Sequence, residues 1–298
     1  MAGIDNYMLA SRAFDNRRCF LGESPRWDPE AARLVWIDIL AGRILTRSLQ
    51  GGSRTSVTAG GRIGGIVLRA DGLGYVVGQE RSVRVVDPGG IVEKTLVERV
   101  PGDGPGLRTN ELAVDAAGRV VFGTMTGDKE PGASALWRLE HDGQLRLLRD
   151  GLTISNGMGW IRDGSAMYHV DSPTRRVVLL PYGDGGCGDP EVVATIDDDR
   201  GVPDGLCVDA DGGFWVAVNG AGHCRHYDPD GVETHRVTLP VAAVSSCVMV
   251  SGGEGSQLFM TTGASGLTEK ELLDQPAAGF VFVADVPQAP ADPVFYPG

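Results

Sequence analysis

Apolar residues along this chain come in short alternating runs, each broken by a polar turn and answered by a second run that often holds an aromatic residue. A period of two sends successive side chains to opposite faces and predicts half-buried β-strands, while no apolar stretch keeps helical spacing beyond about a dozen positions. The pattern occurs six times, as SPRWDPEAARLVWID, GGIVLRADGLGYVVG, ELAVDAAGRVVFGT, GMGWIRDGSAMYHVD, GLCVDADGGFWVAV and SCVMVSGGEGSQLFMTT. Each copy reads as a tight hairpin. Asp-Gly suits the turn because Gly accepts positive φ and Asp bonds its own backbone nearby.

Turn glycines Gly72, Gly118, Gly164, Gly212 and Gly255 fall 46, 46, 48 and 43 residues apart, and the first copy turns near Ala32, 40 residues before Gly72. Further strands follow each hairpin, in RILTRSL, SVRVVDP, ALWRLEHDGQLRLL, RRVVLLPY, CRHYDPDGVETHRVTL and GFVFVADV. A period in the forties with four strands per unit predicts an all-β fold, a six-bladed β-propeller with four-stranded antiparallel blades, as one domain over residues 1–298. Two stacked jelly-roll sheets would not produce near-equal spacings.

The 44 Gly and 17 Pro fit a fold of many turns and little helix. A formal net charge of −12 argues against nucleic acid as a partner, since phosphate binding needs Lys and Arg in excess. Cysteines 19, 187, 207, 224 and 247 form no C-x-x-C pair and read as free thiols of a reducing, cytoplasmic setting. Residues 1–18 carry Asp5, Arg12, Asp15, Arg17 and Arg18 without an apolar core, so neither a signal peptide nor a membrane anchor is expected.

In such a ring the loops entering the innermost strands gather at one mouth of the central channel. Those positions hold Glu23 and Ser24, Arg62 to Gly65, Arg108, Asn110 and Glu111, Ser155 and Asn156, Asp204, and Ser245 and Ser246. Taken singly, the Glu reads as a solvated loop residue, the Asn as a cap and Pro203-Asp204-Gly205 as a turn. Taken together, in equivalent register, carboxylates and amides make an all-oxygen set of the kind that holds Ca²⁺ or Mg²⁺.

The segments GESPRWD (22–28), RTNELAVDAAGRVVFGTM (108–125), SNGMGW (155–160) with YHVDS (168–172), and PDGLCVDADGGFWVA (203–217) resemble the SMP-30/gluconolactonase/regucalcin-like family. The resemblance implies one divalent metal ion on Glu23, Asn156 and Asp204, with Ca²⁺ the first expectation and Zn²⁺, Mg²⁺ or Mn²⁺ the alternatives. It also implies that Arg108 and Asn110 face the substrate. Members commonly hydrolyse sugar lactones or related cyclic esters, and some are better known for binding calcium or cleaving organophosphates. Glu111 stands where the family usually has Asp, and Asp128 lies in a stretch that elsewhere supplies a substrate-contacting acid. The expectation is therefore a metal-dependent lactonase opening a small sugar-type lactone, with Asp204 taking a proton from water and Arg108, Asn110, Glu111 and Asp128 contacting substrate. The alternatives are a non-catalytic calcium- or ligand-binding propeller and a hydrolase for a specialised ester.

Other features read as structural. No G-x-S-x-G elbow occurs, and the histidines lie away from the mouth positions. His223 and His226 fall in an expected outer strand, pointing to opposite faces as surface or packing residues. His169 reads as a channel or core histidine, and Asp171 as either a channel group or a structural acceptor. GGRIGG and PGDGPG read as loops, and Asp197 to Asp199 as a solvated run near the entrance.

Overall fold

The computed structural model describes residues 8–252 and 255–298. Six antiparallel sheets form blades one to six. Their inner strands are Gly22–Asp28, Ile63–Leu68, Arg108–Val114, Ser155–Trp160, Val202–Val208 and Val244–Gly252. Inner strands of successive blades touch around the ring, and blade six meets blade one. The expected six-bladed propeller is the observed fold.

Each blade is apolar on both faces, so its stability depends on neighbours. Six apolar clusters lie one at each blade interface. Trp215, Met260 and Phe282, for example, fill the space between blades five and six. At about 25 cal/mol per Å² of apolar surface, each fully buried large side chain stabilises the ring by roughly 1.5–3 kcal/mol.

The sixth blade departs from expectation. GFVFVADV supplies one strand, Val281–Val286, and the fourth strand comes from the start of the chain, Arg12–Asp15, paired antiparallel to it. Met8–Ala10 adds a parallel fifth strand to the edge of blade five. The ring is thus clasped by its own N-terminal segment. Asp15 anchors the clasp: fully buried, it accepts Arg17 Nε on Oδ1 and Arg17 Nη2 on Oδ2, both at 3.0 Å. Arg47 and Arg54 stand 3.7 and 3.9 Å away. Removing the carboxylate takes the acceptor from the half-buried Arg17 guanidinium and its backbone N–H, and the nearby negative charge from Arg47 and Arg54. Asp15→Ala is expected to lower unfolding free energy by about 1–3 kcal/mol, measured by urea denaturation; a loss within the error of the extrapolation would show that the clasp does not hold the ring.

The hairpin turns fall where the sequence places them, with Ala32, Gly72, Gly118, Gly164 and Gly212 all at positive φ. In the sixth copy the two residues between Gly252 and Gly255 lie outside the described residues, and Gly255 pairs with Gly252. Helix is scarce: the α-helix Glu269–Asp274 opens on a Thr268 capping box. Among the described residues no helix is long and apolar enough to cross a membrane. Beyond Val286 the chain crosses the far end of the channel. It bonds blade five through Ala210 N–H to Ala289 O (2.9 Å), and blade two through Tyr296 N–H to Leu68 O (2.9 Å) and Ala70 N–H to Tyr296 O (2.8 Å).

Candidate metal and substrate site

All six inner strands carry a break in register near the mouth. The breaks fall between Glu23 and Arg26, Ile63 and Gly65, Thr109 and Leu112, Ser155 and Met158, Pro203 and Leu206, and Val244 and Ser246. A bulge leaves a residue unpaired and re-aims the side chains beside it. The candidate ligands Asn156 and Asp204 sit inside these breaks, and Glu23 borders its own. In blade one the bulge forces Ser24 to φ 45°, a left-handed conformation that is uncommon outside Gly.

Pro203-Asp204-Gly205 is therefore not a turn but part of a bulged inner strand, and its glycine has a packing role. A Cβ on Gly205 would stand 2.1 Å from Ser246 Oγ, and one on Gly157 would stand 2.4 Å from the Asp204 carbonyl oxygen. The glycines after Asn156 and Asp204 let adjacent inner strands close on one another at the mouth. Gly157→Ala is expected to push the Asp204 strand away, costing about 1–3 kcal/mol of stability and weakening any cation held there. Thermal unfolding with and without added Ca²⁺ checks both; an unchanged Ca²⁺-induced shift would mean that Asp204 tolerates the displacement.

Asn156 donates Nδ2–H to Asp204 Oδ1 and to Ser172 Oγ (3.1 Å), so its Oδ1 has no partner among the described residues. Asn219 donates to the other Asp204 oxygen at 2.8 Å. Glu23 Oε2 accepts the Ser24 backbone N–H at 2.8 Å. Both carboxyl groups are buried. Burial, then the charges of Asp204 and Glu111, pushes Glu23 well above the usual carboxylate range. Burial also pushes Asp204 up to about 7, with the charge of Glu111 adding to the rise; hydrogen bonds from Asn219 and Asn156 and the charge of Lys129 hold it down.

Glu111 points toward Arg26. Its Oε1 accepts from Arg26 Nη2 (2.8 Å), Ser24 Oγ (3.1 Å) and the Leu112 N–H (3.1 Å). Arg108 donates to Thr109 O (2.8 Å) and contacts Met125 Sδ (2.9 Å), and Asn110 donates to Ser155 O at 3.1 Å. Burial, then repulsion from Arg62, lowers the Arg108 guanidinium to about 10, while Glu23, Glu80 and Asp204 oppose the fall. Arg62 is exposed at the rim.

The remaining positions divide. Ser245 donates to Gly22 O and shares a 3.0 Å hydrogen bond with Thr261 Oγ1, which commits it to the seam between blades six and one. Ser246 packs against Gly205. Asp128 is exposed on the loop after the second strand of blade three and has no hydrogen bond or ion pair among the described residues. Its neighbour Lys129, at φ 57°, is the residue whose charge reaches Asp204. Nothing in the local sequence marks Asn219 or Lys129 as a site residue. Only strand pairing, which sets Asn219 opposite Val202, reveals the first.

Ser155 and His169 make a 2.9 Å contact that resembles a nucleophile and its base. Both are fully buried, and burial pushes His169 down to about 3, so no substrate can reach the pair. His169 is a core histidine. Asp171 accepts the Thr153 and Ile154 backbone N–H groups, which makes it a structural acceptor. His223 and His226 are buried in the third strand of blade five, not in an outer one. His226 faces Asp209 at 2.7 Å, and His223 accepts from Arg225 at 3.0 Å. Asp198, in the acidic run, binds Arg225 at 3.1 Å.

Among the described residues no three Asp, Glu, His or Cys side chains converge on a metal geometry. The cluster has two acids and relies on an amide for its third oxygen. It still fits a hard cation: two buried carboxylates lie near enough for the charge of Asp204 to raise Glu23, and the carboxamide oxygen of Asn156, bonded to Asp204 through its Nδ2, is unspent.

The sequence profile of the SMP-30/gluconolactonase/LRE-like region matches residues 21–264. The chain belongs to this family. An L-arabinolactonase of Azospirillum brasilense is 34% identical, over 90% of this chain and 89% of that protein. A pentonolactonase of Haloferax volcanii is 33% identical, over 94% and 95%. Among solved structures, a calcium-binding protein, regucalcin, of Agrobacterium tumefaciens superposes with a TM-score of 0.86 at 23% identity, covering 97% of this chain and 98% of that one. At that identity the likeness establishes the fold.

Proposed function

We propose that the protein is a divalent-metal-dependent lactonase acting on a small sugar-type lactone. The observation that carries this reading is the buried pair Glu23 and Asp204, beside the unspent oxygen of Asn156, at the bulged mouth of a propeller whose relatives include named lactonases. Glu23, Asn156 and Asp204 would hold the cation. Such an ion, when bound, supplies a Lewis acid for a carbonyl and a lowered pKa for water.

The chain's own groups do the rest. Arg108 has guanidinium N–H groups beyond those given to Thr109 and Met125, and Asn110 keeps its Oδ1, so both can hold ring oxygens and hydroxyls. Asp204 takes the proton from the attacking water. The two amides on its oxygens fix its orientation. Glu111, tied to Arg26, sets the charge felt by Glu23 and Asp204. Asp128, exposed on its loop, would meet substrate only at the rim.

A panel of aldonolactones and simple γ- and δ-lactones, assayed after chelation and with Ca²⁺, Mg²⁺, Mn²⁺ or Zn²⁺ restored, tests the reading. Metal-dependent ring opening supports it. Tight cation binding without turnover of any lactone or ester would favour a calcium-binding propeller, the reading that the regucalcin neighbour favours.

A further inference from the structure

A cavity of about 720 Å³ lies at the opposite end of the channel from the acidic cluster. The inner strands all run from the bulged mouth to this far end, so their second halves from all six blades form its wall. That wall is mostly apolar, with Val67, Val114, Met158, Leu206, Val248 and Met249 among its residues, and its charged members Arg162 and Asp292 are solvent-exposed. Arg26 reaches its inner limit, but that guanidinium is spent on Glu111 Oε1, Ile66 O and Leu112 O. The Arg26–Glu111 pair therefore stands between the cavity and Glu23 and Asp204.

Residues 290–295 line the outer side. They form a strap, fixed at one end by Ala289 and Pro290 on blade five and at the other by Tyr296 on blade two. Between those points residues 292–295 make no backbone hydrogen bond among the described residues. The strap covers part of the cavity's outer side.

We propose that this cavity is a second ligand site, distinct from the acidic mouth, that takes one uncharged apolar small molecule beneath the 290–295 strap. The volume falls in the range of about 300–1,000 Å³ that buries most of a small organic ligand. An ionised ligand among the apolar side chains would be desolvated without a free counter-charge, because Arg26 is already spent and the other charged lining residues, Arg162 and Asp292, are solvent-exposed. Ordered water is disfavoured along Val67, Val114, Met158, Leu206, Val248 and Met249, because each buried molecule needs two to four polar partners and these six side chains offer none.

Fluorescence titration of the full chain with N-phenyl-1-naphthylamine, an uncharged apolar probe, tests the site. Saturable binding of one molecule per chain is expected, weakened about tenfold or more in Val248→Asp and in Ala113→Trp, the first adding a charge to the wall and the second filling it. Melting curves report whether each variant folds, and either folded variant suffices. No saturable binding, or unchanged affinity in the folded variants, overturns the proposal. If neither folds, a probe-soaked crystal decides: density in the cavity supports the site, and density elsewhere or none refutes it.

Discussion

Asp204→Ala is expected to lower kcat/KM for lactone opening by about a thousandfold or more, with the melting temperature of the chelated protein unchanged or raised. The activity loss follows from the two tasks assigned to one carboxylate, holding the cation and taking the proton. The effect on stability has the opposite sign because Asp204 is a liability when no cation is bound. It is buried, near Glu23 and Glu111, with a pKa of about 7. Asn156 and Asn219 would lose an acceptor, at about 1 kcal/mol each, which offsets part of the relief. Steady-state kinetics beside calorimetry separates the effects. Near-normal ring opening by a folded Asp204→Ala protein would remove the proposed mechanism.

A second large effect is expected in the pH dependence of cation binding. Unfolded Asp and Glu titrate near 4, whereas folded Glu23 and Asp204 hold their protons to higher pH. The folded chelated protein therefore binds more protons than the unfolded chain between about pH 4 and 7, and its stability falls as pH rises through that window. A divalent cation supplies the missing positive charge and competes with those protons. With one proton held at a pKa of about 7, cation affinity at pH 5 should be about 100-fold weaker than at pH 8. Thermal unfolding with Ca²⁺ should thus show a large rise at pH 8 and a small one at pH 5. Equal shifts at the two pH values would show that the ion binds elsewhere.

The repeat of Gly72, Gly118, Gly164 and Gly212 made the blades legible because each hairpin is a local event, fixed by residues a few positions apart. The mouth positions were legible for a related reason: equal register in equal repeats gathers them at one end of a ring, and the family resemblance singled out Glu23, Asn156 and Asp204 among them. What escaped notice depends on pairing between distant residues. Bulges are differences between two strands and have no pattern in either one alone. Asn219 looks like the polar end of a strand until its partner strand carries Asp204 toward it. Lys129 and Asp128 are adjacent, and only the left-handed backbone at Lys129 accompanies the one whose charge is felt at the cluster. The fourth strand of blade six does not follow GFVFVADV but lies at the other end of the chain, where no local pattern marks it as that strand's partner.

That arrangement bears on how the protein is made. Arg12 and Asp285, which form an ion pair across the clasp, are 273 positions apart. During synthesis the N-terminal strand leaves the ribosome long before its partner exists. Blades one to four can hydrogen-bond internally as they emerge, but blade six must wait for both ends, with an unpaired strand edge exposed meanwhile. Slow final closure after release, and aggregation of chains cut short before Val281, are the costs of letting the opening strand lock the ring.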